Sequence, residues 1–177
     1  MYFDWASPPS RALMTLIKLS KISNVKYQEV RLSKNEHHTS EFHKISPLQT
    51  LPTITETSED SSPLFTLCES HAIMRYLCWS RPEEVPDHFY PRSDHKRRAL
   101  VDQYLDWHHT NLREGTSRVV FKKYFAVLRK LELFNKEEIK NNEKLMYSSL
   151  GYLESVLAKQ KFICSDTSMT LADLVAT

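Results

Sequence analysis

Two short stretches carry residue types at a spacing that could hold the end of a peptide. In "KISPLQTLPTIT", residues 44–55, Leu51-Pro52 interrupts a run that otherwise reads as a strand. Proline has no backbone N–H to give to a sheet ladder and is normally kept out of strand interiors. In "TLCES", Glu69-Ser70 stands where a strand-like run gives way to a helical one. Backbone N–H groups at a helix start, joined by a serine hydroxyl, form a carboxylate site. Glu69 adds a negative charge suited to an α-ammonium group. A carboxylate and an ammonium on one carbon describe the amino-acid end of a peptide. Each feature also has a plain structural reading, as an edge-strand proline and as a helix cap.

The elements that must position these residues follow from periodicity. "MYFDW" is short and aromatic, like a first strand. "PPSRALMTLIKLSK" then sets Leu13, Leu16 and Ile17 at helical spacing behind two prolines at a helix start. "VKYQEVRL" is a second β-rich run, and "HHTSEFHKI" suits a short, irregular helix. "TLPTIT" and "LFTLC" read as two further strands joined by the polar turn "ETSEDSSP", and "ESHAIMRYL" opens a helix with Ile73, Tyr76 and Leu77 on one face. The order β-α-β, irregular link, β-β-α predicts a parallel first pair and an antiparallel hairpin. With a proline starting the third strand, this is the thioredoxin-like arrangement. There the proline is usually cis and turns the N–H and C=O of the preceding residue outward, to pair with an extended ligand.

Three prolines in "SRPEEVPDHFYPRSD" mark a linker over residues 82–94, between a first domain, 1–81, and an all-helical second domain, 95–177. Val101, Leu105, His108 and Leu112 predict one amphipathic helix over 95–114, with Asp102, Asp106, His109 and Arg113 as a polar stripe. "SRVVFKKYFAVLRKL" is expected to form a second helix. A third follows Asn135, an N-cap with Glu138 at N3, and carries Met146, Leu150, Leu153 and Leu157 as its core stripe. Thr170 and Asp173 cap a fourth helix, and the chain ends about one turn later, so a fragment or a truncated form is expected.

Composition narrows the function classes. The 177 residues are 41% apolar and 26% charged with a net charge of +2, ordinary for a soluble globular protein. The charges are interspersed; only His95-Lys96-Arg97-Arg98 clusters, and that suits a solvated helix turn, so no nucleic-acid partner is implied. No apolar run approaches the roughly 18 residues that span a bilayer, and the N-terminus does not read as a secretory signal. Cys68, Cys78 and Cys164 lie at no metal-ligand spacing and read as reduced thiols in a cytoplasmic protein. The pairs His37-His38 and His108-His109 are adjacent rather than at i, i+4, so no metal site is expected. No Cys-x-x-Cys follows the first strand, which removes a disulfide oxidoreductase.

The stretches "YFDWASPPSRA", "HHTSEFHKISPLQTLPTI", "TLCESHAIMRYL", "VDQYLDWHHTNLR" and "TLADLVA" together resemble theta-class glutathione transferases over nearly the whole chain. The resemblance implies a homodimer that joins glutathione, as co-substrate and with no cofactor, to a hydrophobic electrophile. It implies Ser7 as the catalytic hydroxyl that holds the glutathione thiolate, although "SPPS" equally makes Ser7 a helix cap. It implies that His37, or its neighbour His38, meets the glycyl end. Leu51 would exchange main-chain bonds with the cysteinyl part, and Pro52 would set their geometry. Glu69 with Ser70 would take the γ-glutamyl end. Arg113 would lie near the thiolate, or belong simply to its polar stripe.

The chain departs from the family pattern at several points. Thr50 stands where the family usually has a lysine for the glycyl carboxylate, a loss of about 1.5–3 kcal/mol of binding. The turn between the last two strands is long and acidic, a second proline follows Ser7, and only Gly115 and Gly151 are available for positions that favour glycine. The alternative from another class is a non-catalytic module of the same fold used for binding or assembly.

Overall fold

A computed structural model describes residues 1–60, 62–128 and 135–176. Ser61 of the acidic turn, residues 129–131 of the expected second helix and Thr177 lie outside the described residues. The chain forms two compact units, Met1–Ser93 and Asp94–Ala176.

In the first unit, β1 (Tyr2–Phe3), α1 (Pro8–Leu19), β2 (Gln28–Glu29), α2 (Ser40–Ile45), β3 (Thr53–Thr57), β4 (Pro63–Cys68) and α3 (Ser70–Ser80) follow one another as the periodicities predict. The sheet order is β2-β1-β3-β4. β1 runs parallel to β2, and β3 pairs antiparallel with both β1 and β4. This is the thioredoxin-like topology. α1 forms because prolines occupy its first two positions and Ser7 caps it, while Leu13, Leu16 and Ile17 turn inward. α3 buries Ile73, Met74 and Leu77. Pairing of β3 begins at Thr53, one residue after a cis Leu51-Pro52 bond. Proline thus sits where the ladder no longer asks for its N–H.

The scarcity of glycine leaves a visible trace. Lys21, Asn24, Asn35, Gln49 and Glu69 all have positive φ, between 52 and 68°, whereas neither glycine does. Asparagine tolerates this region better than most residues; Glu69, with ψ 110°, is the outlier.

The second unit is helical. The expected helix over 95–114 is in fact two: α4 (His95–Thr110) and α5 (Leu112–Val120). The break is at Asn111, whose side-chain amide donates to the Trp107 carbonyl at 2.9 Å and whose φ of −123° and ψ of −85° leave the helical region. A short polar side chain competing for a backbone carbonyl ends the helix although the apolar repeat runs on. After α5 comes one π-helical turn, Phe121–Phe125, and then α6 (Ala126–Leu128). Buried Lys122 donates from this turn to Glu138 and to Asn142 Oδ1.

α7 (Lys136–Leu157) starts at Asn135, whose side chain accepts from Glu137 N at 2.9 Å. Glu138 pairs with Lys122, so the expected reciprocal box with Asn135 does not form. The core stripe is also turned: Ser149 and Leu153 are buried, while Leu150 and Leu157 are 40% and 46% exposed. The cause is Gly115 of α5, where an added Cβ would lie 2.7 Å from Met146 N and 2.9 Å from its Cα. Backbone-to-backbone approach there fixes which face of α7 turns inward. α8 (Leu171–Val175) does carry its capping box, with Thr170 N donating to Asp173 Oδ2 at 2.8 Å.

These two glycines make an internally controlled test. Gly115→Ala is expected to destabilise the chain by about 1–3 kcal/mol, because the obstructing atoms are backbone. Around Gly151 nothing lies within 4 Å, so Gly151→Ala is expected to stabilise by about 0.5–1 kcal/mol through helix propensity alone. Urea denaturation of both variants against the parent checks the opposite signs.

Candidate functional site

The loop that presents Ser7 is built by Asp4, a residue without a sequence signal beyond its place before a helix. Asp4 is buried, and its two carboxylate oxygens accept from Ala6 N at 2.8 Å and Leu32 N at 2.6 Å. Its carbonyl accepts from Ser7 N at 3.0 Å. Ser7 is itself 5% exposed. Its Oγ accepts from Ser10 N at 3.3 Å, as the cap of α1, and donates to the Leu51 carbonyl, also at 3.3 Å. The start of α1 and the Leu51-Pro52 step are therefore in direct contact. Leu51 is anchored from behind by Val30 and Phe42, against which Tyr2, Leu32 and Ile45 pack.

Glu69-Ser70 reaches the same end of the sheet through the hairpin. Thr53 and Cys68 are partners across β3 and β4, so Pro52 precedes one partner and Glu69 follows the other. Glu69 makes no capping bond with its side chain, which is exposed. Its positive φ is held although nothing in the helix start requires a glutamate there, and strained backbone of this kind concentrates at ligand clamps. Ser70 is buried in the first turn of α3, an 11-residue helix.

His37 lies in a short 3₁₀ turn, Glu36–His38, with its ring 3.8 Å from that of His38. Burial, and then the neighbouring His38, lower its pKa below the ordinary value, while Asp4 opposes the shift. The ring is therefore neutral at neutral pH. His37 Nδ1 and Thr50 Oγ1 are both buried without a hydrogen-bond partner among the described residues. Arg113 stands on the first turn of α5, in the other compact unit, and helps to lower the pKa of His108 there. Burial pushes Cys78 up to about 12 and Cys164 up to about 11, so neither is a ready nucleophile.

Residues 2–85 match the family profile described as the N-terminal domain of glutathione S-transferase. Glutathione S-transferase T1 of Arabidopsis thaliana is 35% identical over 98% of this chain, which covers 68% of that protein. Glutathione S-transferase theta-1 of Mus musculus is 33% identical over 99% of this chain and 69% of its own length. The chain belongs to the theta-class glutathione S-transferases. Among solved structures, human glutathione transferase theta-2, in complex with glutathione and an unknown ligand, superimposes with a TM-score of 0.85 at 34% identity. That match covers 99% of this chain and 68% of the human one.

Within this class, the chain joins Ser7 to Leu51 of the Leu51-Pro52 step and ties Glu69 and Ser70 to that step through the Thr53–Cys68 pair. Asp4 has little signal in the sequence, because its role depends on Leu32, 28 residues away. Only "DWAS", a short polar residue two positions before a loop amide, hints at it.

Proposed function

We propose that this theta-class chain conjugates reduced glutathione to a hydrophobic electrophile at carbon, with Ser7 donating a hydrogen bond to the thiolate. The observation that carries the reading is the Ser7–Leu51 hydrogen bond. It places a buried hydroxyl beside the main-chain groups that would pair with the cysteinyl residue. Glutathione's thiol, near pKa 8.5, is mostly protonated at neutral pH. Hydrogen bonding to the charged form favours the thiolate. Ser7 has one proton, given at a long 3.3 Å to Leu51, and turning it toward sulfur exchanges a weak bond for a charge-assisted one.

In this reading the γ-glutamyl ammonium faces Glu69 and its carboxylate meets Ser70 and the first N–H groups of α3. The glycyl end lies toward His37. The unsatisfied His37 Nδ1 and Thr50 Oγ1 support the placement of the glycyl end, since buried polar atoms without partners call for an explanation. Residues 1–81 act as the glutathione-binding domain, 82–94 as the linker and 95–177 as the helical domain. The working form is a homodimer in the cytoplasm, in a detoxifying role, and the three free thiols fit that compartment. Among the described residues no helix is long and apolar enough to cross a membrane.

Calorimetric titration of the folded chain with glutathione tests the reading. Binding in the millimolar range or tighter is expected, weakened about 10- to 100-fold in Glu69→Ala. No binding by a folded chain would instead assign it to the non-catalytic modules of this fold.

A further inference from the structure

The two segments that would grip opposite parts of glutathione are joined behind the site by a chain of buried polar side chains. Thr53 Oγ1 lies 2.8 Å from the Thr50 carbonyl, 3.1 Å from Ser46 Oγ and 3.5 Å from Cys68 Sγ. Ser46 Oγ lies 3.2 Å from Cys68 Sγ, where either atom could donate. Ser46 and Thr53 are both 0% exposed, so these hydroxyls must satisfy one another.

Thr53 has a single hydroxyl proton, and its shortest acceptor is the Thr50 carbonyl. Thr53 is the donor in both bonds, giving its proton to the Thr50 carbonyl with Ser46 Oγ as its second acceptor at 3.1 Å, while either Ser46 or Cys68 donates in the bond between them. The chain runs from the residue before Glu69, through the residue that ends α2, to the peptide unit before Leu51. Three elements distant in sequence are locked by groups that present nothing to a ligand themselves.

We infer that Ser46, Thr53 and Cys68 are positioning residues that fix the spacing between Leu51-Pro52 and Glu69-Ser70, and so match the site to a γ-glutamyl-cysteinyl peptide. The inference deepens the glutathione reading and rests on it for the ligand, whereas the coupling itself is a property of the free chain. Cross-strand β pairing alone would hold Thr53 against Cys68; only the side-chain relay also ties in Ser46 and the Thr50 carbonyl.

Thr53→Val keeps the shape and removes the proton. Hydrogen exchange followed by mass spectrometry should show that protection falls in both segments, around Leu51 and around Glu69, and returns in Thr53→Ser. Calorimetry should show glutathione affinity about five- to tenfold weaker in Thr53→Val and restored in Thr53→Ser, as for loss of a buried hydrogen bond. Cys68→Val, at the far end of the relay, should loosen Leu51 as well and serves if Thr53→Val does not fold. Protection lost on the β3 side alone, or in neither segment, overturns the inference, as does weakened binding that Thr53→Ser fails to restore. Absence of glutathione binding by the parent chain would overturn the proposed function instead, and the exchange data would still decide the coupling.

Discussion

Replacing Ser7 by glycine is expected to lower turnover about 10- to 100-fold while glutathione affinity changes by less than about threefold. One oxygen holds two jobs that substitution can separate. As cap, Ser7 Oγ accepts from Ser10 N; as donor, it has one proton, now on Leu51. Glycine is almost as good a cap as serine, whereas alanine costs about 0.5–2 kcal/mol of stability. Ser7→Gly and Ser7→Ala should therefore lose the same turnover yet differ in stability by about 1 kcal/mol. The pH profile gives a second readout. In the parent, turnover should reach half its plateau below the free thiol's pKa of about 8.5, and in both variants that midpoint should move up toward it. Equal turnover in parent and variants would remove Ser7 from the chemistry and leave it a cap.

What could be read in the sequence and what could not divide along a physical line. The strand and helix order of the first unit was legible because Leu13, Leu16 and Ile17, or Ile73 and Leu77, announce their element within a few residues. The Thr170–Asp173 box was legible for the same reason. Asn111 was not, since Val101, Leu105, His108 and Leu112 keep helical spacing straight across a break made by one side-chain amide. The rotation of α7 was hidden too: its own apolar residues suggest one face, and the close approach of Gly115 to Met146 imposes another. At the site, residue types pointed to Leu51-Pro52 and Glu69-Ser70. The contact between Ser7 and Leu51 spans 44 residues, and the Ser46–Thr53–Cys68 relay joins three elements. Neither has a local signature.

The shortage of glycine bears on function as well as on folding. Among the described residues, Lys21, Asn24, Asn35 and Gln49 have positive φ of 52–58°, and Glu69 reaches 68°. A glycine at position 69 would relax the backbone but remove the carboxylate proposed above to meet the ammonium group. Retention of a charged residue under strain is what a ligand clamp requires and what a bare helix cap does not.

Acid should weaken the second unit through one residue, His108. It is 7% exposed, on the inner face of α4, and bonded to the backbone of Val175 in α8. Burial first, then His109 and Arg113, push its pKa from 6.5 down to about 4. The unfolded chain thus binds a proton near pH 6.5 that the folded chain refuses until about pH 4. Between those values the unfolded state holds more protons, so stability falls as pH falls, and the contribution is whole only above the unfolded value. From pH 7 to 4.5 the loss from this group is about 2–2.5 kcal/mol. His108→Gln stays neutral throughout and keeps an amide donor for Val175. Its urea midpoint should decline with acid only as far as the carboxylates and the other histidines common to both proteins dictate, while the parent's declines further. Parallel curves would mean that protonated His108 is accommodated where it stands. Curves that part below pH 6.5 would mean that the α4–α8 contact depends on an uncharged imidazole.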